Sequence, residues 1–96
     1  MSLSRRVVRY VENKCPPSDQ ELILDLLAVL QKSLAGYGEE TQERVVAAAL
    51  VVSQGKLNEL AIAMADAFVD FRDLLMDTPF AQKDWPDQLD RIFGVE

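Results

Sequence analysis

Apolar and polar residues alternate along this chain with a helical period from one end to the other. Leu3, Val7 and Val11 recur every four residues and predict a first helix over about Leu3 to Lys14. Pro16-Pro17 ends it, because proline offers no N–H and its ring clashes with the preceding turn. Ser18 and Glu21 have the spacing of a capping box, the expected start of a second helix. Ten of the fourteen residues from Leu22 to Ala35 are apolar, so this helix is expected to be largely enclosed. Gly36 stands where a left-handed C-terminal cap is wanted, with Tyr37-Gly38 completing the turn. A third helix is expected over about Glu39 to Gln54, its acidic first residues Glu39, Glu40 and Glu43 suiting the positive end of the helix dipole. The run Val45 to Val52 would also suit a buried strand, but three consecutive alanines at its centre favour helix.

Gly55 permits a tight reversal into a fourth helix, about Lys56 to Asp77, lying antiparallel to the third. Leu57, Leu60, Ala61, Met64, Phe68, Phe71 and Leu75 follow a three-four spacing and fall within about 100° of arc on an unbroken helix. Glu59, Asp66, Asp70, Asp73 and Asp77 then fall on the opposite side. Thr78-Pro79 reads as a cap and N1 proline opening a short turn, and Trp85-Pro86 opens a last short helix through about Phe93. No hairpin signal separates alternating apolar residues anywhere. The expectation is one all-α domain, a small antiparallel helical bundle of four main helices plus a short C-terminal helix.

Charge and chemistry narrow the function classes. The net charge of −6 is uneven: positions 1–14 carry four basic residues against Glu12, while the rest carries six basic and fifteen acidic ones. Nucleic acid is therefore a poor partner for most of the surface. The longest apolar run is far below the ~20 residues needed to cross a bilayer, and no secretory leader is apparent, so no membrane partner and a soluble, cytoplasmic protein are expected. Cys15 alone makes no disulfide framework and suits a reducing compartment; beside Pro16 it reads as a small buried hydrophobe. With no histidine in the chain, Ser–His and Cys–His nucleophiles cannot be assembled. Any chemistry would fall to carboxylates and a hard cation such as Mg²⁺.

Three constellations remain. Asp66, Asp70, Asp73 and Asp77 line the fourth helix as a hydrated face or as a docking face for a basic protein. Arg5, Arg6 and Arg9 on the first helix are solvated or pair with nearby carboxylates such as Glu12, or else dock onto the acidic stripe of a second copy, giving a homodimer. Phe80, Trp85 and Phe93 are expected to pin the C-terminal segment to the bundle, with Trp85 also a candidate anchor for a partner.

Glu40-x-x-Glu43 followed by Asp70-x-x-Asp73 resembles the acidic motif pair of the all-α nucleoside-triphosphate pyrophosphohydrolases, the MazG-like group, and Met64 to Asp70 is similar to that group's second motif. The resemblance implies a Mg²⁺-dependent hydrolase with Glu40, Glu43, Asp70 and Asp73 as ligands. The chain departs from the pattern in having Ala63 and Ala67, not glutamate, three residues before Asp66 and Asp70. The leading expectation is thus a non-enzymatic interaction module (an adaptor, a subunit or an immunity-like inhibitor) with no cofactor. Asp66, Asp70, Asp73, Asp77 and Trp85 would be its contact residues.

Overall fold

The computed structural model describes residues 3–95, and in them the chain is all-helical. Its elements are α1 (Arg5–Lys14), α2 (Gln20–Ser33), α3 (Glu39–Ser53), α4 (Leu57–Met76), a 3-10 turn at Pro79–Ala81 and α5 (Trp85–Phe93). The Cα radius of gyration, 11.9 Å, is that of a close-packed domain of this length.

α3 is the central helix. Val45 to Leu50 are six consecutive residues with no exposed surface, so neighbours cover this helix on every side. Ala47, Ala48 and Ala49 make that enclosure feasible, because a methyl side chain lets the backbones of adjacent helices approach closely. α3 and α4 form an antiparallel hairpin and make the most extensive helix pair in the fold. The reversal uses two left-handed residues, Gln54 (φ 54°) and Gly55 (φ 74°). Gly55 is required on two grounds. Its φ favours glycine, and a Cβ there would lie 3.2 Å from Cys15 Sγ and 3.3 Å from Lys14 O. The hairpin turn therefore presses against the end of α1 and helps bury Cys15.

α2 lies beside this hairpin, packed on both α3 and α4. It is less enclosed than its composition suggests. Ile23, Leu27, Leu30 and Leu34 fill the core, while Leu22 and Val29 stand in solvent. The capping box does not form: Asp19, not Ser18, holds the N-cap position and no side chain caps it. The side chain of Gln20 instead reaches back, donating to Glu12 O at 3.1 Å and Cys15 O at 3.0 Å, so the start of α2 satisfies carbonyls that the end of α1 leaves open. Gly36 is not left-handed either; α2 ends through successive tight turns closed by Leu34 N–H to Gln31 O and Tyr37 N–H to Leu34 O.

α1 and α5 close the far side. Tyr10 stacks on Phe93 with ring centroids 4.4 Å apart, and Phe80 lies 6.3 Å from the same ring. The 3-10 turn is held as its sequence suggests, with Thr78 Oγ1 donating to Leu75 O and accepting from Phe80 N–H.

The main departure lies in α4. Asp70 has extended backbone angles (φ −159°, ψ 103°), so the helix is two segments meeting at a kink. The buried face is Leu60, Ala63, Met64 and Ala67, then Leu74 and Leu75. Ala61 and Phe68, placed in the apolar stripe by unbroken periodicity, are exposed.

Candidate interaction surface

Asp70 organises the kink. Its Oδ1 accepts the backbone N–H of Arg72 at 3.0 Å, the bond an N-cap carboxylate makes to the second residue of a helix. The same carboxylate takes Arg72 Nε at 3.1 Å and Nη2 at 3.2 Å. The Arg72 guanidinium and backbone N–H hold the Asp70 carboxyl below the usual aspartate range. Asp70 is thus the cap of the second α4 segment, with its oxygens already engaged.

Beside the kink lies an open cleft of about 620 Å³. Ser33 at the end of α2, with Leu34 and Tyr37 of the turns after it, line one part, and Ala67 to Arg72 of α4 line the other. Tyr37 meets Phe71 edge-on with centroids 5.1 Å apart. Gln42 of α3, itself buried, fixes the loop by donating Nε2–H to Tyr37 O at 2.9 Å. The cleft is of mixed character, with Ser33, Asp70 and Arg72 in its lining beside Leu34, Tyr37, Phe68 and Phe71.

The exposed surface of α4 is more apolar than acidic. Val69 is 89% exposed, Ile62 59% and Phe68 54%. These side chains are large and few neighbours cover them, so water contacts them at a cost that a partner would relieve. Asp66, Asp73 and Asp77 are exposed nearby. The four aspartates do not form the single stripe expected, because the break at Asp70 places Asp73 and Asp77 on a separate segment.

The other sequence candidates have structural occupations. Arg6 makes a two-point contact with Glu43, Nε to Oε2 at 2.8 Å and Nη2 to Oε1 at 2.6 Å, and reaches Asp90 at 2.5 Å. Hydrogen bonding to Arg6 holds the Glu43 carboxyl below its ordinary value. Arg9 donates to Phe93 O at 3.2 Å and Val95 O at 3.4 Å. Neither arginine pairs with Glu12; both join α1 to the region around α5. Trp85 is half-buried under the guanidinium of Arg44, which sits 4.9 Å from the ring centroid, and Arg44 also donates to Phe80 O. That leaves Trp85 a clamp for the 3-10 turn more than an open anchor.

Glu40, Glu43, Asp70 and Asp73 are not drawn into one centre. Glu40 is exposed, Glu43 is paired with Arg6 and Asp70 with Arg72. Among the described residues, no three Asp, Glu, Cys or His side chains are grouped as a metal site. Burial pushes the Cys15 thiol up, so it stays protonated and inert at neutral pH.

Ile62, Val69, Leu22 and Val29 were not among the sequence candidates. Their signal was surplus: α2 and α4 carry more large apolar residues than one buried stripe per helix can hide. No helix of the described residues is long and apolar enough to cross a membrane, so this surplus does not mark a span. Compared with protein-family models, with curated proteins and with solved structures, the chain matches none.

Proposed function

We propose that this protein is a non-enzymatic interaction module whose contact surface is the outer side of α4, and that its partner is a protein with a basic, partly apolar surface. The observation that carries this reading is the exposed Ile62 and Val69 on one face of α4, with exposed Asp66 between them on the same face. Exposed apolar side chains supply burial energy on docking, and flanking carboxylates select a basic partner and steer its approach. The role of the aspartates differs from that expected of a charged stripe. Asp66 shares the face of Ile62 and Val69, Asp70 breaks the helix just beyond Val69, and Asp73 and Asp77 belong to the segment that follows.

A Mg²⁺-dependent hydrolase would need Glu43 to leave Arg6 and Asp70 to leave Arg72, and no feature of the surface favours that rearrangement. The test is photo-crosslinking in the cells that make the protein. A benzophenone side chain at position 69 should give a discrete adduct with another protein, and one at position 87 on α5 should not. The same adducts from both positions, or none from position 69, would reject the reading.

A further inference from the structure

Three features of α4 point to two conformations at its break. The first is phase. Leu60, Ala63, Met64 and Ala67 are buried before the break, and Leu74 and Leu75 after it. At 100° per residue these residues fall within about 120° of arc on one unbroken helix, so neither segment needs the break to face the core. The second is composition. Leu57 to Met76 contains neither proline nor glycine, the residues at which sharp kinks usually arise. The third is the tie itself. In a continuous helix the Arg72 N–H donates to the Phe68 carbonyl, four residues back. Here it donates to Asp70 Oδ1 at 3.0 Å. One N–H thus has two competing acceptors, and a side chain that takes a backbone donor in this way breaks a helix. The remainder of the tie is the Asp70–Arg72 ion pair, in which the arginine is 80% exposed, and an exposed pair adds little.

The continuous conformation has a different surface. In it Ile62, Asp66, Val69, Asp73 and Asp77 fall within about 80° of arc, a single face of two apolar and three acidic groups. With Asp70 extended, Asp73 and Asp77 belong to a segment that does not continue that line. The cleft depends on the break as well, because its α4 side is Ala67 to Arg72, the residues around Asp70. We infer that α4 is a two-state hinge at Asp70, with a bent form held by the Asp70 carboxylate and a continuous form that joins the exposed apolar and acidic residues of α4 into one contact surface. A partner touching both segments binds the continuous form more tightly and draws the hinge straight. The hinge stands on the helix geometry alone, while its effect on the contact surface rests on the interaction-module reading.

Spin labels at Ala61→Cys and Met76→Cys, both exposed, read the separation across the break by double electron–electron resonance in a Cys15→Ala background. Fifteen residues of continuous helix span about 22 Å. The bent form gives a second, distinct separation and should dominate in the parent. Asp70→Ala removes the competing acceptor and supplies the best helix former. It should raise the continuous population about fivefold. Its far-ultraviolet helical signal should increase even though it melts lower, whereas a cap with no hinge behind it would lose helical signal. Asp70→Gly disfavours continuous helix and should show the bent separation alone.

The absence of the continuous separation from every folded variant, or a loss of helical signal in Asp70→Ala, would overturn the inference. If Asp70→Ala does not fold, the parent measured against Asp70→Gly decides by the same separation. The benzophenone adduct at position 69 should increase with Asp70→Ala and decrease with Asp70→Gly. Two separations with an adduct indifferent to both variants would overturn the link to the contact surface. No adduct from position 69 in any variant would reject the interaction-module reading, and the separations would still decide the hinge.

Discussion

Arg6 and Glu43, thirty-seven residues apart, meet through two parallel hydrogen bonds that join α1 to the central helix. The pair is largely shielded, with side chains 13% and 20% exposed, so it counts for more than a surface ion pair. Glu43→Gln removes the charge and keeps the shape, and should cost about 1–3 kcal/mol at neutral pH in a denaturant titration. The sign of the pH dependence follows from the Glu43 carboxyl being held below its ordinary value of 4.5. Its contribution is complete above that value and is lost as pH falls through the lower folded-state value. The parent should lose stability more steeply than Glu43→Gln between about pH 5 and pH 3; parallel curves would mean that the pair contributes nothing.

The kink at Asp70 should depend on an acceptor more than on a charge. Asp70→Asn retains an oxygen for the Arg72 N–H and should melt close to the parent, while Asp70→Ala loses the cap and should melt lower. Equal melting of the two variants would show that the segments meet there for another reason.

Three substitutions separate the turns. Gly55→Ala should destabilise by about 1–2 kcal/mol, since it adds a Cβ at positive φ against Cys15 and Lys14. Gln54→Gly should stabilise by about 0.5–1 kcal/mol, because Gln54 already holds a left-handed angle. Gly36→Ala has open space and an ordinary φ, and should be neutral or gain up to ~1 kcal/mol by restricting the unfolded chain. Thermal melts in one buffer give all three, and a Gly36→Ala loss as large as that of Gly55→Ala would contradict the turn geometry.

The exposed and buried apolar residues of α4 should behave differently. Leu60→Ala, in the core, should cost about 2–5 kcal/mol. Val69→Ser should change stability by less than about 0.5 kcal/mol, and its effect should appear in partner capture instead. A large fall in the melting temperature of Val69→Ser would place that side chain in the core.

Cys15, buried and with its thiol pushed up, should resist iodoacetamide in the folded protein at pH 8 and react fully in guanidinium. Fast labelling without denaturant would show that the Gly55 turn opens readily away from α1.

Periodicity placed every helix because each one buries a stripe, and proline and glycine mark the breaks between them. The three adjacent alanines of α3 pointed to helix over strand, but enclosure was expected of α2, and it is α3 that is enclosed. Asp70 was not legible as a break: no proline or glycine marks it, and a mid-helix aspartate reads equally as a solvated charge. Phe68 and Ala61 precede the break and were assigned to the core because they edge the apolar stripe, roughly 100° round the helix from the centre of the face that Leu60, Ala63, Met64 and Ala67 bury. The fates of Arg6 and Trp85 depend on partners far off in sequence, Glu43 and Arg44, which local spacing cannot supply. Ser18 and Gly36 show the converse, since correct local signals were overridden by the short α1–α2 and α2–α3 connections.

The contacts between α1 and α5 also have a consequence in time. Arg9 and Phe93 are 84 positions apart, so bringing them together costs roughly 4 kcal/mol of loop-closure entropy before Tyr10 can stack on Phe93. On a ribosome, α1 is made well ahead of the helix that holds it. Until Phe93 emerges, Val7, Tyr10 and Val11 have no complete surface to settle on. The oldest of these helices is therefore among the last to be locked, and a pause in translation before α5 would leave its apolar side open to chaperones or to another nascent copy.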